Sequence, residues 1–160
     1  MLCPVGRIFR TDKVSAGTSH IVYNHSVVDF AEWMKSVKKI CVINTGGTLS
    51  MRRSESGYRP SPGYLANQMA NMDELSQAPM PEFDLIEYEP LVDSSNMTPD
   101  IWRKIANDIQ ERHDAYDGFV VLHGTDTMAY SAAALAFMLD GLSKPVIFTG
   151  AQLPLGQIRN

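Results

Sequence analysis

The chain has few of the residues that would indicate metal or disulfide chemistry. Its 160 residues include two cysteines and four histidines. The histidines, at positions 20, 25, 113 and 123, do not have the spacing of zinc ligands, and two cysteines cannot build a disulfide framework. Cys41 lies inside an apolar run, where we expect a small buried thiol. The sequence therefore predicts neither a zinc site nor a disulfide-stabilised fold.

The chain also lacks a basic tail and a long apolar run. The net charge is −4, and the only local basic cluster is Arg52, Arg53 and Arg59. Nucleic acid is therefore not a favoured partner. No run approaches the roughly 20 apolar residues of a membrane span. Proline, glycine and arginine interrupt the first residues, so we expect no secretory signal.

The clearest pattern is a strand, a helix and a second strand between residues 116 and 152. Residues 119–122 form a continuous apolar run, typical of a strand buried on both faces. Residues 128–139 are apolar almost all round and predict a buried helix. A second short strand follows at 146–148. Because strands joined by a helix run parallel, the pattern predicts an open, mostly parallel α/β sheet with helices on both faces, a Rossmann-like fold.

Further elements are predicted upstream of this unit. We predict strands over 40–43 and 83–88 and a mobile polar loop over 50–60. One helix should begin at Ser61 and Pro62 and end before Pro79, with one apolar face formed by Leu65, Met69 and Met72. A second helix should open at Thr98, Pro99 and Asp100 and bury Ile101, Ile105 and Ile109. Residues 1–33 show no clear periodicity.

Polar side chains follow each predicted strand of the sheet. They are Thr45 and Thr48, Ser94 and Ser95, Thr125 and Asp126, and the loop at Ala151. Since ligands of open parallel sheets bind beyond the carboxyl ends of the strands, a doubly wound sheet would gather these groups at one rim. Paired glycines in the first loop let the backbone turn sharply and approach a ligand. Neither the phosphate-binding P-loop nor the dinucleotide fingerprint is present.

A catalytic interpretation of this rim needs more than hydroxyl groups. A threonine is a poor nucleophile near neutral pH unless a base takes its proton, so it needs a partner such as Tyr58 or a lysine near Asp126. Backbone N–H groups around Gly47 and Thr125 could stabilise an oxyanion. The residue pattern alone thus predicts the rim but no particular reaction.

Each motif alone also has a structural explanation. Residues 45–48 could form a tight turn, residues 125–127 a helix cap, and residues 94–95 an ordinary loop. Tyr58 could be an ordinary surface tyrosine and His123 a packed residue at a strand end.

The segments INTGGTLSM, PLVDSSNMTPD, YDGFVVLHGTDTMAYSAAALAFML and KPVIFTGAQLP, in this order and spacing, closely resemble the N-terminal domain of bacterial-type L-asparaginases. The resemblance covers residues 36–160 and is greatest to the cytoplasmic type I branch. It implies hydrolysis of the side-chain amide of L-asparagine to L-aspartate and ammonia, through a covalent acyl-enzyme or a related tetrahedral path. It implies no metal or cofactor, a cytoplasmic location and a homo-oligomer for the full-length protein.

The resemblance also implies catalytic roles. Thr48 would be the nucleophile, and Tyr58, on a lid loop, would activate it. Thr125 and Asp126 would form a second catalytic cluster.

Substrate binding would use the same loops. Asp126 would hold the α-amino group beside Thr125, and Ser94 would bind the α-carboxylate. Ser95 stands where some relatives have glutamine, and Ala151 would line the pocket with its backbone.

Part of the family pattern lies beyond residue 160. Relatives have a lysine after the GAQLP-like loop, which acts with the threonine and aspartate of HGTDT, and a second small domain. We therefore expect residues 1–35 to be an extension, residues 36–160 a truncated N-terminal asparaginase domain, and this polypeptide alone to have low solubility and little turnover. Met34 is a candidate natural start, which an N-terminal peptide beginning earlier in native protein would contradict.

Two other functions stay open at this point. A related amidotransferase subunit, which releases ammonia for charged tRNA, shares the TGGT and TDT motifs. The chain could also be a non-catalytic domain that binds asparagine or a partner chain.

Overall fold

The computed structural model describes residues 20–23, 26–29, 39–55 and 57–158. The chain divides into two compact units, residues 1–37 and 38–160. In the first unit, β1 (His20–Tyr23) and β2 (Ser26–Asp29) pair antiparallel. The sequence predicted no structure for this segment, so the structure shows a pair of strands that was not predicted. Met34, the candidate start, lies outside the described residues.

The second unit is an α/β fold. Its strands are β3 (Lys39–Gly46), β4 (Met51–Ser54), β5 (Gly57–Pro60), β6 (Glu82–Val92), β7 (Gly118–Leu122) and β8 (Val146–Thr149). Its helices are α1 (Tyr64–Ala70), α2 (Pro99–Glu111), α3 (Met128–Met138) and α4 (Leu155–Ile158). Strands β6, β3, β7 and β8 form one sheet in that order, and all its pairs are parallel. The predicted fold class is confirmed.

Alternating side chains of β3 create two cores, one on each face of the sheet. Cys41 and Ile43 are fully buried on one face with Ile105 of α2. Val42 points to the other face and packs with Leu65 of α1. Because the strand is buried on both faces, its sequence is a continuous apolar run without alternation. Each fully buried isoleucine contributes about 1.5 to 3 kcal/mol of transfer free energy.

The predicted start of α2 is confirmed. Thr98 is the residue before the helix, Pro99 is its first residue, and Asp100 lies in the first turn. Proline is tolerated there because its missing N–H would have had no partner in the helix. Ile105 and Ile109 are fully buried, as predicted, whereas Ile101 is only half-buried.

Two predictions between residues 50 and 79 are wrong. The predicted polar loop is a β-hairpin, because β4 and β5 pair antiparallel from Met51 with Pro60 to Ser54 with Gly57. Both strands are largely exposed, so the sequence carries no alternation that would reveal them. The predicted helix begins three residues later, at Tyr64, because Gly63 takes a left-handed conformation with φ 74°. It ends at Ala70 and is followed by a 3-10 turn.

Helix α3 is less buried than its apolar sequence predicts. Ser131 and Leu135 are buried against the rest of the unit. Tyr130 and Phe137, however, are 71% and 76% exposed. Only one face of the helix packs on the sheet, so an apolar composition all round does not ensure burial. No helix in the described part of the chain is long and apolar enough to cross a membrane.

A polar cluster holds β6 against α2. Tyr88 donates a hydrogen bond to Asp108 at 2.7 Å, and Lys104 and Arg112 donate to the same carboxylate at 3.0 and 2.9 Å. Burial acts to raise the pKa of Asp108. The hydrogen bonds from Tyr88 and Lys104, with the nearby positive charges, outweigh burial and hold the pKa below its ordinary value.

The substitution Asp108→Asn should therefore reduce stability in a pH-dependent way. An aspartate with a lowered pKa in the folded state stabilises the fold above its unfolded pKa of about 3.9, and this contribution is lost as pH falls through the folded pKa. We expect a loss of about 1 to 3 kcal/mol near neutral pH. Urea unfolding at about pH 7 and about pH 2.5 should show the variant and the parent chain converging in acid. An equal difference at both pH values would contradict this.

Candidate functional site

The loops that follow the four parallel strands meet at one rim of the sheet, and their glycines show how closely. A methyl group added at Gly47 would lie 2.6 Å from the Cα atom of Gly124. One added at Gly124 would collide with the hydroxyl of Ser94, and one at Gly150 would collide with the carbonyl of His123. An added side chain would overlap backbone atoms at Gly47 and Gly150, and the Ser94 side chain at Gly124. The rim predicted from the sequence thus exists as a packed set of loops.

The TGGT motif begins inside β3 and ends in the turn that follows it, so its two threonines have different surroundings. The hydroxyl of Thr45 is buried and donates to the carbonyl of Leu122 at 2.9 Å, which ties β3 to the end of β7. Thr48 is half-buried and begins the 3-10 turn Thr48–Ser50. Between them Gly47 has φ 85° and ψ −179°, a region open essentially to glycine alone. Thr45 therefore makes a long-range bond from within β3 and does not form a tight turn, and Thr48 is the hydroxyl left beside the rim.

Tyr58 lies on β5 of the hairpin and is 40% exposed. Its hydroxyl accepts a hydrogen bond from the side-chain amide of Gln157, which lies in α4. Among the described residues, no hydrogen bond joins Tyr58 to Thr48. The structure thus places Tyr58 on an exposed hairpin whose first strand begins three residues after Thr48.

The loop after β7 carries Thr125 and Asp126. Thr125 is half-buried and Asp126 is exposed. The next residue, Thr127, precedes α3 but makes no side-chain capping bond; its hydroxyl donates to the carbonyl of Ser94 at 2.7 Å. The helix-cap explanation therefore does not describe this threonine. It links the HGTDT loop to the DSS loop.

The DSS loop places its two serines differently. Ser94 is buried beside Gly124, whereas Ser95 is exposed. The backbone N–H and the hydroxyl of Ser95 donate to Asp93 at 3.0 and 2.8 Å. These bonds lower the pKa of Asp93, the backbone bond more than the hydroxyl bond. Sequence reasoning did not single out Asp93, which shapes the 3-10 turn that holds Ser94 at the rim.

His123 is packed at the end of β7, as predicted. It is 1% exposed, and its backbone N–H donates to the carbonyl of Thr149 at 2.9 Å. The ring nitrogen Nδ1 lies 2.7 Å from the carbonyl of Gly124, so Nδ1 carries the proton. The ring lies 5.9 Å from that of Phe148. His123 therefore braces the first residues of the HGTDT loop against β8.

The fourth loop follows β8 and contains Ala151, which is half-buried. Its neighbour Gly150 lies against His123, and an added methyl group would also lie 3.5 Å from Cγ2 of Thr125. No group of histidine, cysteine or carboxylate side chains in the described part of the chain could hold a metal ion. The rim offers hydroxyl groups, the exposed carboxylates of Asp93 and Asp126, and glycine-rich backbone.

The chain is similar in sequence to known proteins. A sequence model of the family described as "Asparaginase, N-terminal" matches residues 39–160. L-asparaginase 1 of Escherichia coli K12 is 57% identical over 123 residues, which are 77% of this chain and 36% of that protein. A glutamyl-tRNA(Gln) amidotransferase subunit of Pyrococcus horikoshii is 38% identical over 128 residues, covering 77% of this chain and 28% of that protein.

A solved structure matches as well. The crystal structure of L-asparaginase I from Vibrio cholerae superposes with a TM-score of 0.71 at 50% identity, over 78% of this chain and 37% of that chain. The chain thus spans about a third of the length of the relatives it matches.

Proposed function

Because this chain belongs to the asparaginase family through its N-terminal domain, we propose that it supplies the nucleophile and part of the substrate pocket for hydrolysis of the side-chain amide of L-asparagine. The observation that carries this proposal is the close approach of Gly47 and Gly124. It brings the loops of Thr48 and Thr125 side by side. Two adjoining hydroxyl-bearing loops suit acyl transfer from an amide.

In the proposed reaction, the hydroxyl oxygen of Thr48 attacks the amide carbon of asparagine. The proton of Thr48 passes to the Tyr58 hydroxyl as Tyr58 gives its own phenolic proton to the amide nitrogen. Backbone N–H groups around Gly47 and Thr125 stabilise the oxyanion. With that proton added, the carbon–nitrogen bond breaks and the nitrogen leaves as ammonia. Water then attacks the aspartyl ester, releases aspartate and returns the proton to Thr48. Thr48 suits this role because its neighbour Thr45 already donates its hydroxyl to Leu122.

Binding of the amino acid would use groups on two adjoining loops. Asp126 is exposed at the rim and would pair with the α-amino group, next to Thr125. Ser94, held beside Gly124, would donate to the α-carboxylate, with Ser95 adjoining. Ala151 would close one side through its backbone. Because both charged ends of the amino acid are then fixed, the side-chain amide points toward Thr48.

We also propose a cytoplasmic location and a homo-oligomeric assembly of the intact protein, as the family resemblance implies. The exposed aromatic face of α3, with Tyr130 and Phe137, supports association, since contiguous exposed apolar surface marks interaction sites. Light scattering of the intact protein measures the assembly directly.

The enzyme assay requires a chain of the relatives' length. We define the completed protein as residues 1–160 joined to the part of E. coli L-asparaginase 1 that follows its matched segment. It should release ammonia from L-asparagine, and residues 1–160 alone should do so at no more than a small fraction of that rate. Among residues 146–160 there is no lysine to serve the Thr125 cluster. Equal rates for both would contradict this division of the site.

The substitution Asp126→Asn tests substrate binding in the completed protein. Loss of the charge that faces the α-amino group should raise KM for asparagine by about 10- to 100-fold. Asp140→Asn, an equal charge change at an exposed turn after α3, should leave KM unchanged. If both variants behaved alike, Asp126 would not hold the amino group.

An amidotransferase subunit is the second candidate function, because the glutamyl-tRNA(Gln) amidotransferase subunit of Pyrococcus horikoshii is 38% identical to this chain over 128 residues. The same ammonia assay separates the two functions. Release from free L-asparagine without tRNA supports the asparaginase, and release only with an aminoacylated tRNA supports the amidotransferase.

A further inference from the structure

A buried polar cluster lies at the base of the exposed hairpin β4–β5, which we call the Tyr58 hairpin (residues 51–60). Asn44 and Ser50 are fully buried, and Glu87 is half-buried. Asn44 and Glu87 are direct neighbours in the parallel ladder of β3 and β6. Neither residue is among the predicted rim residues.

The cluster connects both ends of the hairpin to the sheet. At the entry, the hydroxyl of Ser50 donates to Oδ1 of Asn44 at 2.8 Å. At the exit, the backbone N–H of Gly63 donates to Oε1 of Glu87. Nδ2 of Asn44 donates to Oε2 of Glu87 at 2.9 Å, which closes the chain of bonds. The backbone N–H of Ser61 also donates to the carbonyl of Ser50 at 3.2 Å.

The donors and acceptors of this cluster fit in only one arrangement. The N–H of Gly46 points at Oδ1 of Asn44, at 3.1 Å, and a backbone N–H can only donate. The amide of Asn44 must therefore turn its NH₂ toward Glu87. Gly63 presents a second N–H to Glu87, so both carboxylate oxygens have to accept. Each side chain is matched to the other, and a change in one leaves a polar group without a partner.

We propose that Glu87 and Asn44 are positioning residues that hold the Tyr58 hairpin over the rim. Both strands of the hairpin are exposed. The hydrogen bonds between β4 and β5 therefore stabilise it only weakly against local opening. A tie across its base fixes where Tyr58 stands relative to the Thr48 turn, because Ser50 ends that turn and also binds Asn44. The effect on catalysis rests on the proposed function; the anchoring of the hairpin does not.

Trypsin cleavage within the Tyr58 hairpin can report how often the hairpin opens. Trypsin cleaves after Arg52 and Arg53, which are exposed on β4, whereas the bond from Arg59 to the following proline resists it. Cleavage after Arg103 and Lys104 in α2 requires opening of the core and reports global unfolding. The ratio of the two cleavage rates in the chain of residues 1–160 therefore measures local opening of the hairpin.

Glu87→Gln should raise this ratio about tenfold, because an amide NH₂ would then face another donor. Asn44→Asp should do the same, since two carboxylates would meet. The double variant Asn44→Asp with Glu87→Gln reverses the hydrogen bond, and the ratio should return to within about threefold of the parent chain. Glu89→Gln, on the same strand but exposed, should change nothing.

Two results would overturn the proposal. One is an unchanged ratio in both single variants. The other is a double variant in which the effects of the two changes simply add. If the single variants do not fold, recovery of folding by the double variant supports the pairing, and its absence contradicts it.

The same variants in the completed protein separate this proposal from the proposed function. If the completed parent protein releases no ammonia but the double variant restores the cleavage ratio, the proposed function is rejected and the anchoring of the hairpin is kept. A fall in kcat with an unchanged cleavage ratio would reject the anchor alone.

Discussion

The substitution Thr48→Ala should lower kcat for asparagine by about 10⁴-fold in the completed protein, with KM little changed. Removal of the proposed nucleophile would abolish the covalent path, while the groups proposed to hold the two charged ends of the amino acid would remain. Ammonia release under saturating asparagine measures the loss. Circular dichroism should show an unchanged fold, because the half-buried Thr48 makes no long-range hydrogen bond among the described residues.

Two matched variants distinguish chemistry from structure at this loop. Thr48→Ser keeps a hydroxyl and should retain much of the activity. Thr45→Ala removes the buried bond to Leu122 and should cost about 1 to 3 kcal/mol of stability with a far smaller effect on kcat. If Thr45→Ala abolished turnover while Thr48→Ala did not, the nucleophile would be misassigned.

The substitution Gly47→Ala should be strongly destabilising. Its φ of 85° and ψ of −179° are open essentially to glycine, and the added methyl group would lie 2.6 Å from Gly124. Backbone strain alone costs about 1 to 3 kcal/mol. The clash adds to this, because the obstacle is backbone and cannot rotate away. We expect a total loss of about 3 kcal/mol or more, measured by urea unfolding of the chain.

Gly141→Ala is the control for this experiment. Gly141 also has a positive φ, 81°, but nothing lies within 4 Å of an added methyl group. Its cost should be limited to strain, about 1 to 2 kcal/mol. An equal loss at both positions would show that the approach of Gly47 to Gly124 does not matter.

The sheet and its rim could be predicted because each produces a pattern among residues that are neighbours in the sequence. Strands β3 and β7 are buried on both faces, so their apolar runs are unambiguous. Glycine and threonine after such runs indicate loops that approach a ligand. The structure adds the reason for the glycines: Gly47, Gly124 and Gly150 each meet a neighbouring loop.

The remaining features depend on partners that are distant in sequence. The hairpin of β4 and β5 is exposed on both strands, so no apolar alternation marks it. The anchoring pair is separated by 43 residues, and on its strand Glu87 has the ordinary pattern of a polar residue between apolar ones. For helix α3 the prediction from sequence was wrong in the opposite direction, because it expected more burial than the structure has. Its composition predicts burial, but burial depends on what covers each face.

The position of asparagine relative to Thr48 tests the account most directly. The completed protein carrying Thr48→Ala should be crystallised with L-asparagine, because the inactive variant leaves the substrate intact. We predict the side-chain amide between the positions of Thr48 and Thr125, the α-amino group at Asp126 and the α-carboxylate at Ser94. Asparagine bound away from this rim, or bound with its amide turned toward Asp126, would contradict the account.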